Sequence, residues 1–218
     1  METAGLILIC FWSYFLISYT CFRLNVTKIS EALNRENGLK ILNVRHVLGI
    51  IIFGFAGYIL FNESPIILWK NLMEDPALSV AVAFFATISM DLSVSDATSN
   101  YASIPPVPFS IMNGLGYISI RILFLFAYEV FFRGALFLFS LQYVNLIYSI
   151  LINLFFYALI HGFDSRKEFI GSIPFGIVLC LFTYFSGSIW PAFIIHASLS
   201  LGYETIIISK SLTKIQES

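Results

Sequence analysis

Seven long apolar segments, separated by polar clusters, are the feature that most restricts the fold of this chain. Several come near the roughly 20 residues that a helix needs to cross the hydrocarbon core of a bilayer. Hydrophobic residues make up 58% of the 218 residues, charged residues make up 11%, and the mean hydropathy is +0.86. A typical soluble domain carries about 25% charged residues. The composition therefore excludes a soluble domain and predicts an all-α, polytopic membrane helix bundle.

The apolar segments extend over the whole chain, which we interpret as a single membrane domain, residues 1–218, with about seven transmembrane helices. Their predicted bounds are 5–22, 47–62, 77–92, 116–140, 143–161, 168–186 and 189–209. The first segment lacks a basic region and a small-x-small cleavage site, so we interpret it as a span rather than a signal peptide. The segment 24–46 has two open interpretations, a helix on the membrane surface and a solvated loop.

Basic residues between the predicted spans indicate the orientation. Nine of them fall on one side: Arg23, Lys28, Arg35, Lys40, Arg45, Arg166, Lys167, Lys210 and Lys214. Only Lys70 falls on the other side. Because Lys and Arg concentrate in cytoplasmic loops, we expect an extracellular N-terminus and a cytoplasmic C-terminus. The apolar composition leads us to expect the lipid bilayer as a partner, and we expect no nucleic acid.

Polar residues inside the apolar segments are the candidate functional residues, because ionisable groups within membrane spans are rare and mark function. Glu129 and Arg133 lie four residues apart in the fourth span and can pair on one helix face. Polar stripes at helical spacing mark the fifth and seventh spans: Asn153, Tyr157 and His161, then His196, Ser200 and Tyr203. Each feature alone has a structural interpretation, as an ion pair or an interhelical hydrogen bond. Together, on three helices, they predict one buried polar site.

Three segments in this order carry a resemblance to a known family: YEVFFRG (128–134), YALIHG (157–162) and HASLS (196–200). They resemble the EExxxR, FxxxH and HxxxN motifs of the CPBP family, the CAAX prenyl proteases and bacteriocin-processing membrane proteases. The resemblance covers roughly residues 110–205, the expected catalytic core. It implies a glutamic-type intramembrane endopeptidase in a prokaryotic cell membrane. Its expected partners are membrane-associated, prenylated or precursor peptides and membrane-anchored proteins.

The resemblance also implies roles for individual residues. Catalytic roles fall to Glu129, Arg133, His161, His196 and Ser200, of which His161 takes the water-activating place and His196 the oxyanion place. Side chains expected to line the site are Tyr128, Asn153, Tyr157 and Tyr203. Imidazoles and carboxylates suit general acid–base work, and donors aimed at a developing oxyanion lower the barrier of acyl transfer.

The first motif departs from the family at one position. Tyr128 stands where the family has its first Glu, and a phenol with a pKa of about 10 is a poor base. Glu129 lies one position on, about 100° around an α-helix, so it reaches the missing place only through a rotated helix or a distorted turn. The alternative function is a catalytically impaired pseudoprotease, a membrane binding, regulatory or bacteriocin-immunity protein.

A zinc hydrolase is a further alternative, with Glu129, His161 and His196 as the three protein ligands of an open site. The chain has no HExxH signature, so we expect no metal and no cofactor.

Overall fold

The computed structural model describes residues 2–63, 75–100 and 110–216, which form helices and, within these ranges, no strand. They are α1 (Glu2–Arg23), α2 (Ile29–Leu33), α3 (Gly38–Glu63), α4 (Pro76–Asn100), α5 (Ile111–Glu129), a π-helical segment (Val130–Leu138), α6 (Leu146–His161), α7 (Arg166–Ser186) and α8 (Trp190–Gln216). The prediction of an all-α polytopic bundle is confirmed. Lys70 lies outside the described residues.

Six of these helices are long and apolar enough to cross a membrane: α1, α3, α4, α5 with the π-helical segment, α7 and α8. The remaining predicted span, 143–161, corresponds to α6, which has 16 residues. At 1.5 Å per residue, α6 extends about 24 Å, less than the roughly 30 Å of a bilayer core. All seven predicted spans are therefore helical, and six of them reach the length of a span.

The segment 24–46 matches neither of its two interpretations along its whole length. Its first part forms the short helix α2, whose Ile29 and Leu33 are buried against the bundle. Its second part already belongs to α3, which begins at Gly38.

Arg45 shows the consequence of this early start of α3. The sequence placed it in a cytoplasmic loop, which was wrong, because Arg45 is buried inside a membrane-length helix. Its guanidinium donates to the carbonyl oxygen of Thr27 at 2.8 Å and to Ser18 Oγ at 3.4 Å, and it lies 5.9 Å from the ring centroid of Tyr14. These contacts replace water around the charge, which makes its burial tolerable.

The centre of the bundle is α5 and the π-helical segment that continues it. Every residue from Val130 to Phe137 is buried. Phe53 of α3 stacks on Phe131, with ring centroids 4.5 Å apart. A π-helix bonds residue i to i+5, so its wider turns change which side chains share a face. A distorted turn was one of the two ways in which Glu129 could reach the missing place, and a π-helical turn begins directly after that residue.

Candidate active site

Glu129 and Arg133 form the predicted ion pair at the junction of α5 and the π-helical segment. Arg133 Nε lies 3.2 Å from Glu129 Oε2, and both side chains are completely buried. The two atoms lack the alignment of a hydrogen bond, so their attraction is that of two charges in close contact. Without a positively charged partner, a buried carboxylate would carry a desolvation cost of roughly several kcal/mol.

His196 of α8 completes the partners of this carboxylate. Its Nδ1 lies 2.5 Å from Glu129 Oε1, and the imidazole is largely buried. Because an ionised carboxylate can only accept hydrogen bonds, Nδ1 carries the hydrogen. The contact fixes the orientation of the ring, and Glu129 does not engage its second nitrogen, Nε2.

Asn153 and Tyr157 of α6 hold the guanidinium of Arg133. Arg133 Nη1 donates to Asn153 Oδ1, and Asn153 Nδ2 donates to the carbonyl oxygen of Phe132 at 2.5 Å. The guanidinium also lies 4.8 Å from the ring centroid of Tyr157, within the range of a cation–π interaction. These two residues, predicted to line the site, therefore surround the charge of Arg133.

His161 lies at the C-terminal end of α6 and contacts a different carboxylate. Its Nδ1 is 2.9 Å from Oδ2 of Asp164, in the turn that follows α6. Burial alone would raise the pKa of Asp164, but the hydrogen bond and charge of His161 outweigh burial and hold that pKa below its ordinary value. The carboxylate is therefore ionised at neutral pH.

One cavity of about 120 Å³ brings the histidines together. The chain has three histidines, His46, His161 and His196, and all three line this cavity. Six of the described residues that line the cavity are charged: Lys28, Arg45, Arg121, Asp164, Glu168 and Glu204. The sequence predicts that His161 and His196 share one buried polar site, and both line this cavity.

Tyr128 also lines this cavity, whereas Glu129 is not among the lining residues. The ring of Tyr128 packs edge-on against the ring of His196, with centroids 5.6 Å apart. Among the residues that the structure describes, its buried hydroxyl has no hydrogen-bond partner, and the same is true of His161 Nε2. The residue that replaces the family's first Glu thus occupies the wall of the cavity, and Glu129 lies behind His196.

A second polar cluster forms another part of the same cavity, around Arg121 of α5. Arg121 Nε lies 2.9 Å from Glu204 Oε1, and Arg121 Nη2 donates to Ser200 Oγ at 2.8 Å. Ser200 Oγ in turn donates to Glu204 Oε1 at 3.2 Å. Arg121 Nη1 lies 3.1 Å from His46 Nε2. Ser200 therefore belongs to this cluster and not to the one around Glu129.

Tyr203 turns away from both clusters, since its hydroxyl donates to Ser30 Oγ of α2 at 3.3 Å. The cavity residues that the sequence did not predict include Arg45, His46 and Asp164. Arg45 and His46 looked like loop residues because the apolar run starts only at residue 47. Asp164 lies three positions after His161, a spacing that could have been noticed.

A comparison with protein-family models matches residues 110–202 to the Rce1-like family, described as type II CAAX prenyl endopeptidase Rce1-like. The resemblance to the CAAX protease family is confirmed. The match covers all three motif segments, and together with six helices of membrane-spanning length it supports an integral membrane protein related to CAAX-type intramembrane proteases. No curated protein and no solved structure matches the chain.

The zinc alternative required Glu129, His161 and His196 to face one ion. Within residues 2–63, 75–100 and 110–216, no group of three or more His, Cys, Asp or Glu side chains is arranged to hold a metal ion. The expectation that no cofactor takes part stays a prediction.

Proposed function

We propose that this Rce1-like protein is an intramembrane endopeptidase in which two carboxylate-supported imidazoles face one cavity. The observation that carries the proposal is that His161 and His196 both line the cavity and both contact a carboxylate through Nδ1. A ring held at Nδ1 presents Nε2 to a reactant in a fixed orientation, as in other acid–base sites. Two such rings suit the two roles that peptide hydrolysis needs.

In this mechanism, His161 accepts a proton from water at Nε2 while the water oxygen attacks the peptide carbonyl. In its protonated form, which the charge of Glu129 stabilises, His196 donates from Nε2 to the oxyanion. Glu129 is the essential carboxylate of this site and acts through His196, with Arg133 holding it in place. A preorganised donor of this kind contributes about 3 kcal/mol or more to transition-state stabilisation.

The substrate class follows from the family and from the position of the cavity. Lys28 and Glu168, two of its wall residues, have side chains that are 37% and 44% exposed, so the cavity reaches an end of the helix bundle. A peptide entering from this end would meet His161 and His196 below the surface. We propose peptides and membrane-anchored proteins as substrates, including prenylated and precursor peptides, in a prokaryotic cell membrane.

The test is cleavage in liposomes that contain the purified protein, with farnesylated, unmodified and precursor-type peptides and mass spectrometry of the products. We expect the wild type to cleave at least one class, and His161→Ala, His196→Ala and Glu129→Gln each to lose about 100-fold or more in rate. His46→Gln is the matched control, because His46 contacts Arg121 rather than a carboxylate. Full activity in the first three variants contradicts the proposal.

A second candidate function, a membrane receptor for peptides without hydrolysis, is favoured by one observation. Tyr128 occupies the cavity wall where the family has a carboxylate, and Glu129 does not line the cavity. Under this function the wild type binds peptide in the liposomes but releases no fragments, and His161→Ala alters affinity only.

A further inference from the structure

The turn between α6 and α7 contains an acidic residue that none of the three motifs includes. The backbone N–H of Asp164 donates to the carbonyl oxygen of His161 at 3.1 Å, which closes a tight turn. This turn brings the carboxylate back to the imidazole, with Oδ2 2.9 Å from Nδ1. The two side chains are only 13% and 22% exposed, so water competes weakly for the contact.

The turn is fixed at both of its sides. Ser165 caps α7 by accepting from the backbone N–H of Glu168 at 3.2 Å, and its hydroxyl also donates to the Glu168 carboxylate at 2.8 Å. Phe163 packs against three rings of α1, with centroids 4.8 to 5.8 Å away: Phe15, Tyr19 and Phe22. Asp164 is thus held between two anchored neighbours, as an orienting group should be.

We propose that Asp164 is a positioning residue that makes His161 the general base of the site, in place of the motif carboxylate that Tyr128 replaces. The inference rests on the proposed peptidase function. Asp164 holds the hydrogen of the imidazole on Nδ1 and so leaves a lone pair on Nε2. Within the part of the chain that the structure describes, Nε2 is buried and has no hydrogen-bond partner, and the ring lines the cavity, so Nε2 is the nitrogen left for a water bound there.

The chemistry then needs no further reactant. His161 Nε2 takes a proton from water as the water oxygen forms a bond to the carbonyl carbon, and Asp164 stabilises the resulting imidazolium. Nε2 next gives this proton to the amide nitrogen as the carbon–nitrogen bond breaks. One water and one peptide bond become one carboxyl group and one amine. The carboxylate stays ionised throughout, as expected for the partner of a catalytic histidine.

The kinetic test compares Asp164→Ala and Asp164→Glu with Asp96→Ala in the liposome assay. Asp96 is the matched control, because it is a carboxylate that binds Lys167 and does not line the cavity. We expect Asp164→Ala to lower kcat about 100-fold with KM unchanged, Asp164→Glu to recover part of kcat, and Asp96→Ala to match the wild type. A general base contributes roughly 100-fold or more to the rate. A kcat for Asp164→Ala within about twofold of the wild type therefore overturns the inference.

A second measurement does not depend on activity or on the folding of a variant. Nitrogen-15 NMR of the histidines in the wild-type protein reports the tautomer of the neutral His161 ring, and we expect the hydrogen on Nδ1. A ring with its hydrogen on Nε2 overturns the inference. If the wild type has the expected tautomer but cleaves no peptide, the proposed peptidase function is contradicted. The orienting contact between Asp164 and His161 is supported in that case.

Discussion

The imidazole of His196 lies 2.5 Å from the carboxylate of Glu129, although 67 positions separate the two residues along the chain. The contact joins α8 to the junction of α5 and the π-helical segment, the point where the helical repeat changes. Arg133 approaches the other oxygen of the same carboxylate. Glu129 therefore has one oxygen for a positive charge and one for a histidine, which leaves none directed at a water in the cavity.

Removing Glu129 should destabilise the protein, because the buried guanidinium of Arg133 loses its negatively charged partner. Glu129→Ala isolates a buried guanidinium, which costs about 3 to 5 kcal/mol. The double variant Glu129→Ala/Arg133→Met removes both charges and should recover part of this loss, because no buried charge remains unpaired. Thermal unfolding of the detergent-solubilised variants measures both effects. A double variant that is as unstable as the sum of its two single changes would show that the pair is not coupled.

Replacing Tyr128 separates the phenol ring from its hydroxyl. Tyr128→Phe removes a buried hydroxyl that has no hydrogen-bond partner in the described part of the chain, so stability should stay equal or rise by about 1 kcal/mol. Tyr128→Glu restores the first Glu of the motif on the cavity wall and should raise the cleavage rate by about tenfold or more. Initial rates in liposomes measure this, with Tyr128→Phe as the control for loss of the phenol. Equal rates in both variants would show that a carboxylate at this position contributes nothing.

Ser200 stands where the third motif of the family has its Asn, but its contacts predict a structural role. Its hydroxyl accepts from Arg121 and donates to Glu204. Ser200→Ala should therefore lower stability by about 1 kcal/mol and leave kcat nearly unchanged. Loss of an oxyanion donor would instead lower kcat about 100- to 1,000-fold. Parallel unfolding and cleavage assays distinguish these outcomes.

Asp164 should make stability depend on pH in the acid range. Its folded pKa is depressed, so the stabilisation from its ionised form is complete above the ordinary pKa of the side chain and is lost as the pH falls through the folded value. Unfolding midpoints of wild type and Asp164→Asn should therefore differ at about pH 5 to 7, and the difference should shrink as the pH falls below about 4. A difference that stays constant with pH would contradict the contact with His161.

The orientation expected from the basic residues can be tested by labelling. Tyr143, in the loop before α6, is exposed, and the sequence prediction places it at the outer end of the fifth span, whereas Lys167 is placed in the cytoplasm. A membrane-impermeant maleimide added to intact cells should label Tyr143→Cys and spare Lys167→Cys. The native cysteines, Cys10, Cys21 and Cys180, are buried and should contribute little background. The reverse pattern would invert the predicted topology.

Much of the fold was predictable because hydropathy is a local property. Each apolar run reports its own helix, and the order of the three motifs identified the segment that carries the site. Helix ends were predicted less well, as α3 shows: polar residues at its start looked like a loop, but Arg45 finds Thr27 and Ser18 inside the protein. Contacts of this kind depend on the position of another helix.

The sequence by itself determined that this protein lies in a membrane, that Glu129 and Arg133 can pair, and that His161 and His196 belong to one motif set. Only the tertiary structure decided which groups meet: Glu129 with His196, Asp164 with His161, and Ser200 with Arg121. Helical spacing defines the neighbours on one helix. The partner across a bundle depends on how helices pack and where a π-helical turn shifts the faces.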